Sequence, residues 1–368
     1  MQEWFELKDV DTVDSPALLV YPDRVKHNIQ QAIALLDGDC SRLRPHIKTN
    51  KTAEICQLLQ DFGIRKFKCA TIAEAELLGM IAAEDVLLAY QPTGPKMKRL
   101  INLIKSYPKT TYSCLVDHVQ VAQDLNAICA AAQIVLAIYI DVNVGMGRTG
   151  IHPDAVEGLA MEIIALPQLH LIGVHGYDGH IHDPDLNRRE EQSDASYQLL
   201  VNAFDTVRQL TATPLHSIIG GSPPFPFHAR RMDVECSPGT FVFWDYAYGE
   251  AFKEQKFEYA ALLLTRVISI VDEHHICLDL GYKAVGNESP LPRVQFLGNR
   301  DMELVSQSEE HLVVKVRNSS DYPIGTPFYG VPKHVCPTVA LYEEMLVVED
   351  GKVSKSWKIK ARDRKINY

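Results

Sequence analysis

The first two thirds of the chain switch repeatedly between two periods, and that alternation narrows the fold more than any other feature. Short apolar runs rich in β-branched and aromatic residues are followed by longer amphipathic stretches, the patterns of buried strands and of helices. The runs predict strands at 17–21, 42–48, 66–71, 86–90, 111–116, 134–142, 170–175, 215–220 and 234–236, with helical patterns in the gaps between them. Repeated β-then-α units with buried strands imply a parallel sheet, and eight such units close a (β/α)8 TIM barrel. Nine candidates compete for eight places, so either the first, after Pro16, or the last, before Pro238, belongs elsewhere. An open doubly wound sheet would usually carry a Gly-rich turn after its first strand. Here that strand runs into Tyr21-Pro22-Asp23, which favours the barrel. Beyond about Tyr248 the long helical periods stop. Strand patterns at 261–271, 275–280, 311–317, 326–331, 345–349 and 353–360, punctuated by Pro and Gly, predict a smaller all-β domain after the barrel.

Composition excludes several classes of function. Of 368 residues, 46% are hydrophobic and 23% charged, the mix of a globular enzyme-sized chain with a large core. The net charge of −10, without a basic block, argues against a nucleic-acid partner. No apolar stretch approaches the roughly 20 residues of a membrane span, and Met1-Gln2-Glu3-Trp4-Phe5-Glu6 lacks the basic start of a signal peptide. Eight cysteines are scattered singly with no CxxC pair. They read as thiols in a reducing compartment, so a cytoplasmic location is expected.

Polar clusters follow the predicted strands. Lys48 ends one, in Arg44-Pro45-His46-Ile47-Lys48-Thr49. At the mouth of a barrel its amine would be partly desolvated and close to other cations, which favours the free amine that Schiff-base chemistry needs. Solvated loop charge is the plainer reading of Lys48 and Lys51. The loop 141–150 places Arg148 after two glycines, for close backbone approach and a rim guanidinium, or as a flexible loop with a surface arginine. His175-Gly176-Tyr177-Asp178-Gly179-His180-Ile181-His182-Asp183 concentrates groups suited to acid–base work, metal binding or phosphate contact. Gly220-Gly221-Ser222 and Gly239-Thr240 can each be a tight turn, but together they match a phosphate cup between the last strands of a barrel. In the β domain, His334 and Cys336 fall on one face if that segment is a strand, an imidazole–thiolate pair of zinc type; a buried Cys beside a surface His is the alternative. A Schiff-base lysine beside a phosphate cup is what pyridoxal phosphate requires.

In this order, Arg44-Pro45-His46-x-Lys48-Thr49, the Arg148 loop, His175-Gly176-Tyr177-Asp178-Gly179, Gly220-Gly221-Ser222, Gly239-Thr240-Phe241 and His334-x-Cys336-Pro337-Thr338 resemble the metal-dependent D-threonine aldolase and D-serine dehydratase family. These are fold type III pyridoxal phosphate enzymes related to alanine racemase. The resemblance runs from about Asp14 to the end. It implies a pyridoxal phosphate-binding barrel over 16–248, a β domain of 1–15 with 249–368 that carries the metal, and a homodimer. It makes Lys48 the Schiff-base residue and gives the phosphate to Tyr177, Gly220, Gly221, Ser222, Gly239 and Thr240. Arg148 and His175 would lie near the cofactor ring, and His334 and Cys336 would bind a divalent ion. The aldolase branch has Asp as second ligand where the dehydratase branch has Cys. Cys336 therefore favours zinc over manganese or magnesium. The expected reaction is aldol cleavage of a D-3-hydroxy amino acid, with His180 or His182 as base. A dehydratase giving a 2-oxo acid and ammonia, with Lys48 as base, and a racemase are the alternatives.

Overall fold

The computed structural model describes residues 3–298 and 301–368. The chain forms two compact units. Met1–Gln31, Thr49–Glu54 and Thr240–Arg362 make one; Ala32–Lys48, Ile55–Gly239 and Asp363–Tyr368 make the other. Met1 and Gln2, which belong to the expected β domain, lie outside the described residues.

The second of these units holds the barrel. Seven parallel strands, Lys66–Cys69, Asp85–Leu88, Thr111–Val116, Leu136–Val142, Leu169–Gly176, His216–Ile219 and Glu235–Cys236, neighbour one another in chain order. The eighth place is taken by residues 43–46, after which Ile47 and Lys48 enter a turn. Leu43 bridges to Cys236 and His46 to Lys68, both in parallel sense. The N–H groups of Arg44 and His46 each donate over 2.9 Å, to the carbonyls of Cys236 and Pro238. The predicted strand at 42–48 is thus only partly in place: Arg42 ends a short 3-10 helix, Ile47 and Lys48 form a turn, and Pro45 has no N–H to give to a ladder. Helices Ala53–Asp61, Ile72–Met80, Pro95–Ser106, Val119–Ala132, Val156–Ile164 and Leu186–Leu210 follow the strands. Asp185 caps the last of them by accepting from the Arg188 N–H.

The ninth strand candidate, Ala17–Val20, belongs to the other unit. It runs antiparallel to Ala261–Asp272 and parallel to Glu344–Glu349. The unit that holds the barrel starts at Ala32. The sheet of this unit is nine-stranded and mixed. Phe5, Leu19, Leu262, Leu264, Tyr329 and Val331 are among its packed core. It includes two strands the sequence pattern did not signal, Val294–Phe296 and Glu303–Gln307. The first is too short to show a period, and the second has no fully buried residue. Short helices Tyr246–Ala251 and Val335–Val339 interrupt the β structure. Among the described residues no helix is long and apolar enough to cross a membrane.

Candidate active site

Strand register decides what enters the barrel. Residues paired across parallel neighbours share a face, and faces alternate along each strand. Leu87, Leu115, Tyr139 and Ile218 pack together as one layer. Lys66 pairs with Asp85 in register, Lys68 with Leu87, and Asp141 with His175. Below the apolar layer, Arg44 is 1% exposed and holds Asp85 through two bonds of 2.6 and 2.8 Å and Glu235 at 2.7 Å. Lys66 also bonds to Glu235. Two cations there meet two carboxylates.

At the opposite ends of the strands a cavity of about 210 Å³ opens, lined by His46, Lys48, Lys68, Asp141, Arg148, His175 and Tyr177 among others. The Tyr177 ring is its centre. Lys48 Nζ lies 5.3 Å, Lys68 Nζ 5.7 Å and Arg148 Cζ 4.9 Å from the ring centroid, all within cation–π range. His175 is buried, with Nδ1 2.7 Å from Asp141 Oδ1 and Nε2 3.4 Å from Lys68 Nζ. Asp141 accepts the Nδ1 proton, so Nε2 is the acceptor. Burial and the Lys68 charge push the His175 pKa down, against its bond to Asp141. Burial, followed by the Lys48 charge, brings Lys68 down to about 7, although Asp178 and Asp141 oppose this.

The loops after the strands are fixed by their own polar groups. Asn143 Oδ1 accepts from the N–H groups of Gly145 and Gly147, and Gly150 N–H donates to Asp117. This holds exposed Arg148 over Tyr177. A Cβ at Gly145 would lie 3.0 Å from His180 Nε2, so His180 rests on this loop. His180 and His182 are both exposed, and neither is among the residues that line the cavity. Asp178, wholly buried, accepts from His228 Nε2 at 2.6 Å and from Gly221 N–H at 3.1 Å. Gly220 has φ +94°, and a Cβ there would come within 2.8 Å of the His228 ring. Gly239 N–H reaches Ser222 Oγ at 3.3 Å. The expected phosphate turns are therefore tied to each other and anchored from below. Thr240 is the first residue of the other unit in this part of the chain.

In that unit, His334 caps the helix Val335–Val339 and Cys336 is inside it, not in a strand as the alternation suggested. Pro337 is tolerated because it falls in the first turn. His334 Nδ1 lies 2.6 Å from Glu288 Oε1, and Cys336 Sγ lies 3.1 Å from Thr49 Oγ1 and 3.7 Å from Thr240 Oγ1. Buried Asp245 accepts from the N–H groups of Tyr248 and Val335, and burial raises it to about 6. Burial disfavours the imidazolium, yet Cys336, Asp245 and Glu288 together hold His334 up to about 9. Anions that keep a proton on this imidazole would equally favour a metal cation in its place. Among the described residues no set of three or more His, Cys, Asp or Glu side chains could hold an ion; an ion held by this pair alone would take the rest of its shell from water or substrate.

The cavity residues fit pyridoxal phosphate: a lysine amine for its aldehyde, cations for its anionic groups and an aromatic face. Sequence reasoning passed over Lys68, His228 and Glu288, and gave Asp141 and Asp178 no role of their own within the clusters that contain them. For Lys68 a signal was present, since a lysine amid the apolar positions of a buried parallel strand is anomalous. His228, in the short helix Phe225–Ala229, and the loop residue Glu288 carried no such signal.

Residues 20–246 match the family model described as alanine racemase, N-terminal domain, and 260–348 match a putative serine dehydratase domain. A 3-hydroxy-D-aspartate aldolase of Paracoccus denitrificans is 27% identical over 97% of this chain and 94% of its own length. A D-threonine aldolase of Arthrobacter sp is 27% identical over 95% and 93%. A D-threo-3-hydroxyaspartate dehydratase of Delftia sp. is 24% identical over 94% and 97%. The solved D-threonine aldolase of Filomicrobium marinum superposes with a TM-score of 0.88 at 23% identity, covering 98% of this chain and 99% of its own. A variant of D-threo-3-hydroxyaspartate dehydratase solved in a metal-free form gives 0.83 at 20%, covering 94% and 97%. These two structural likenesses speak for the fold.

Proposed function

Since the chain belongs to the family of the alanine racemase N-terminal domain, we propose that it is a pyridoxal phosphate- and divalent-metal-dependent D-amino-acid lyase. Its reaction is aldol cleavage of a D-3-hydroxy amino acid to glycine and an aldehyde. The observation that carries the reading is the cavity at the strand ends, where Lys48, Arg148, His175 and Tyr177 converge from three separate stretches of chain. The names of the 27%-identical relatives supply the substrate class. The proposal includes zinc as the ion, at His334 and Cys336, and a homodimer, which rests on the resemblance alone. It also includes a cytoplasmic setting, which the eight free cysteines support.

Bound pyridoxal phosphate supplies an electron sink for negative charge developing at Cα. The chain's own residues do the rest. Lys48 would hold the cofactor through its amine. Arg148, over the Tyr177 ring, closes the cavity rim against water. His175 stays neutral, because its burial outweighs the bond to Asp141. Tyr177, Gly220, Gly221, Ser222, Gly239 and Thr240 are assigned to the phosphate. His334 and Cys336 would hold the ion, a Lewis acid for a hydroxyl group. His180 or His182 takes the hydroxyl proton in the aldolase reading.

Cys336 favours a second reading, in which the Lys48 amine removes the Cα proton and hydroxide leaves, as the dehydratase relative's name suggests. Product analysis with D-threonine decides between them. Glycine with acetaldehyde from the metal- and cofactor-loaded protein is the expected result; 2-oxobutanoate with ammonia replaces it with the dehydratase. In either case Lys48→Ala must lose the visible absorption of the lysine-bound cofactor along with turnover. If that absorption survives in the variant, the assignment of Lys48 is wrong.

A further inference from the structure

Lys68 is 1% exposed and lines the same cavity as Lys48, yet the lyase reading gives it no task. Its amine lies 3.4 Å from His175 Nε2, and among the described residues no carboxylate reaches it within ion-pair distance. Its register partner on the next strand is Leu87, so an apolar residue fits the layer at this depth. A buried amine without an ion-pair partner is costly and is retained where its proton is used. The groups facing it are few. Arg44, His46 and Lys48 come from the closing segment, Asp141 from strand Leu136–Val142, and Arg148 from the loop beyond. His175, Tyr177 and Asp178 come from the end of strand Leu169–Gly176.

We propose that Lys68 is a second working amine of this site. It is a positioning residue that donates to His175 Nε2, fixes that ring in its Nδ1–H tautomer, and sets the charge of the cavity by gaining or losing its own proton. The proposal rests on reading the cavity as the pyridoxal phosphate site. Three links support it. Asp141 and His175 are register partners, so their bond is built into the sheet. With Nδ1 committed to Asp141, His175 Nε2 can only accept, and Lys68 is the donor in reach. The desolvated Lys68 amine titrates at about 7, so this donor changes charge near neutral pH while His175 itself stays neutral.

Two measurements test this. In the apo-protein, nitrogen NMR of the histidine rings is expected to show His175 protonated on Nδ1. Its Nε2 signal should move in a single step near pH 7, and Lys68→Met should abolish the step. In the loaded protein, the visible absorption of the lysine-bound cofactor should show a step in the same range. Lys68→Met, always neutral, should hold the high-pH spectrum, and Lys68→Arg, always charged, the low-pH one. A step that persists in both variants, or a His175 ring protonated on Nε2, overturns the proposal. The two readings fail separately: wild-type protein that takes up no borohydride-reducible cofactor at Lys48 sinks the cofactor assignment, and the apo-protein NMR still decides the Lys68–His175 bond.

Discussion

Glu288 and His334 meet at 2.6 Å, both about half exposed. The bond uses Nδ1 of the imidazole, so the ring's orientation and its other nitrogen are set by a carboxylate 46 positions earlier in the chain. The loop that brings Glu288 there is pinned to the same helix: Gly286 N–H donates to Thr338 Oγ1, and Thr338 Oγ1 donates to the His334 carbonyl. Carboxylates behind a metal-binding histidine fix its tautomer and raise its basicity, and their loss typically weakens metal binding about 10–100-fold. Glu288→Gln keeps the shape and removes the charge. It should weaken zinc or cobalt binding by a factor in that range, read by titration against a competing chelator, with cofactor uptake unchanged. Equal affinity in the variant and wild type would exclude Glu288 from the metal site.

At the scale of elements, the β-then-α alternation made most of the barrel legible, because a buried parallel strand and an amphipathic helix have periods that do not depend on partners. The allocation of strands was not legible in that way. Ala17–Val20 reads like any barrel strand, and only its pairing with Ala261–Asp272 and Glu344–Glu349 moves it to the other sheet. The segment 42–48 reads like a strand, yet only 43–46 closes the ring, with scattered bridges. His334 and Cys336 were singled out by residue type and expected in a strand; the choice between strand and short helix depends on Asp245 holding the Val335 N–H from elsewhere in the chain. The loop 143–150 is the element where backbone conformation itself carries function. Gly150 has φ +94°, and a Cβ there would lie 2.6 Å from the backbone of Val142 and Asn143. Gly150→Ala combines an unfavourable backbone region with a clash against atoms that cannot turn away, a strain of about 1–3 kcal/mol. The expected outcome is a loop that shifts and carries Arg148 off Tyr177, so cofactor affinity falls while the thermal midpoint drops by only a few degrees. An unchanged cofactor dissociation constant would show that Arg148 does not depend on this turn.

For the molecule as a whole, the barrel carries one balanced ionic floor and one unbalanced. Arg44 and Lys66 meet Asp85 and Glu235 at the closed end. At the open end Lys48, Lys68 and Arg148 face Asp141 and Asp178, with His175 kept neutral. The excess positive charge suits an anionic cofactor and strains the empty protein. Lys68 gives that strain a sign that can be measured. Its pKa falls from 10.5 in the unfolded chain to about 7 in the fold, so between those limits the unfolded state binds more protons and stability rises with pH. The penalty is fully present below about pH 7 and is relieved as pH climbs toward 10.5. At about 1.36 kcal/mol per pK unit it is on the order of 3–5 kcal/mol. Lys68→Met removes it. The variant apo-protein should therefore be more stable than wild type in denaturant at pH 7, and the two curves should converge as the pH is raised to 10. A variant that is less stable at pH 7, or a gap that does not close, would mean that the lysine's stem and its bond to His175 matter more to the fold than its buried charge.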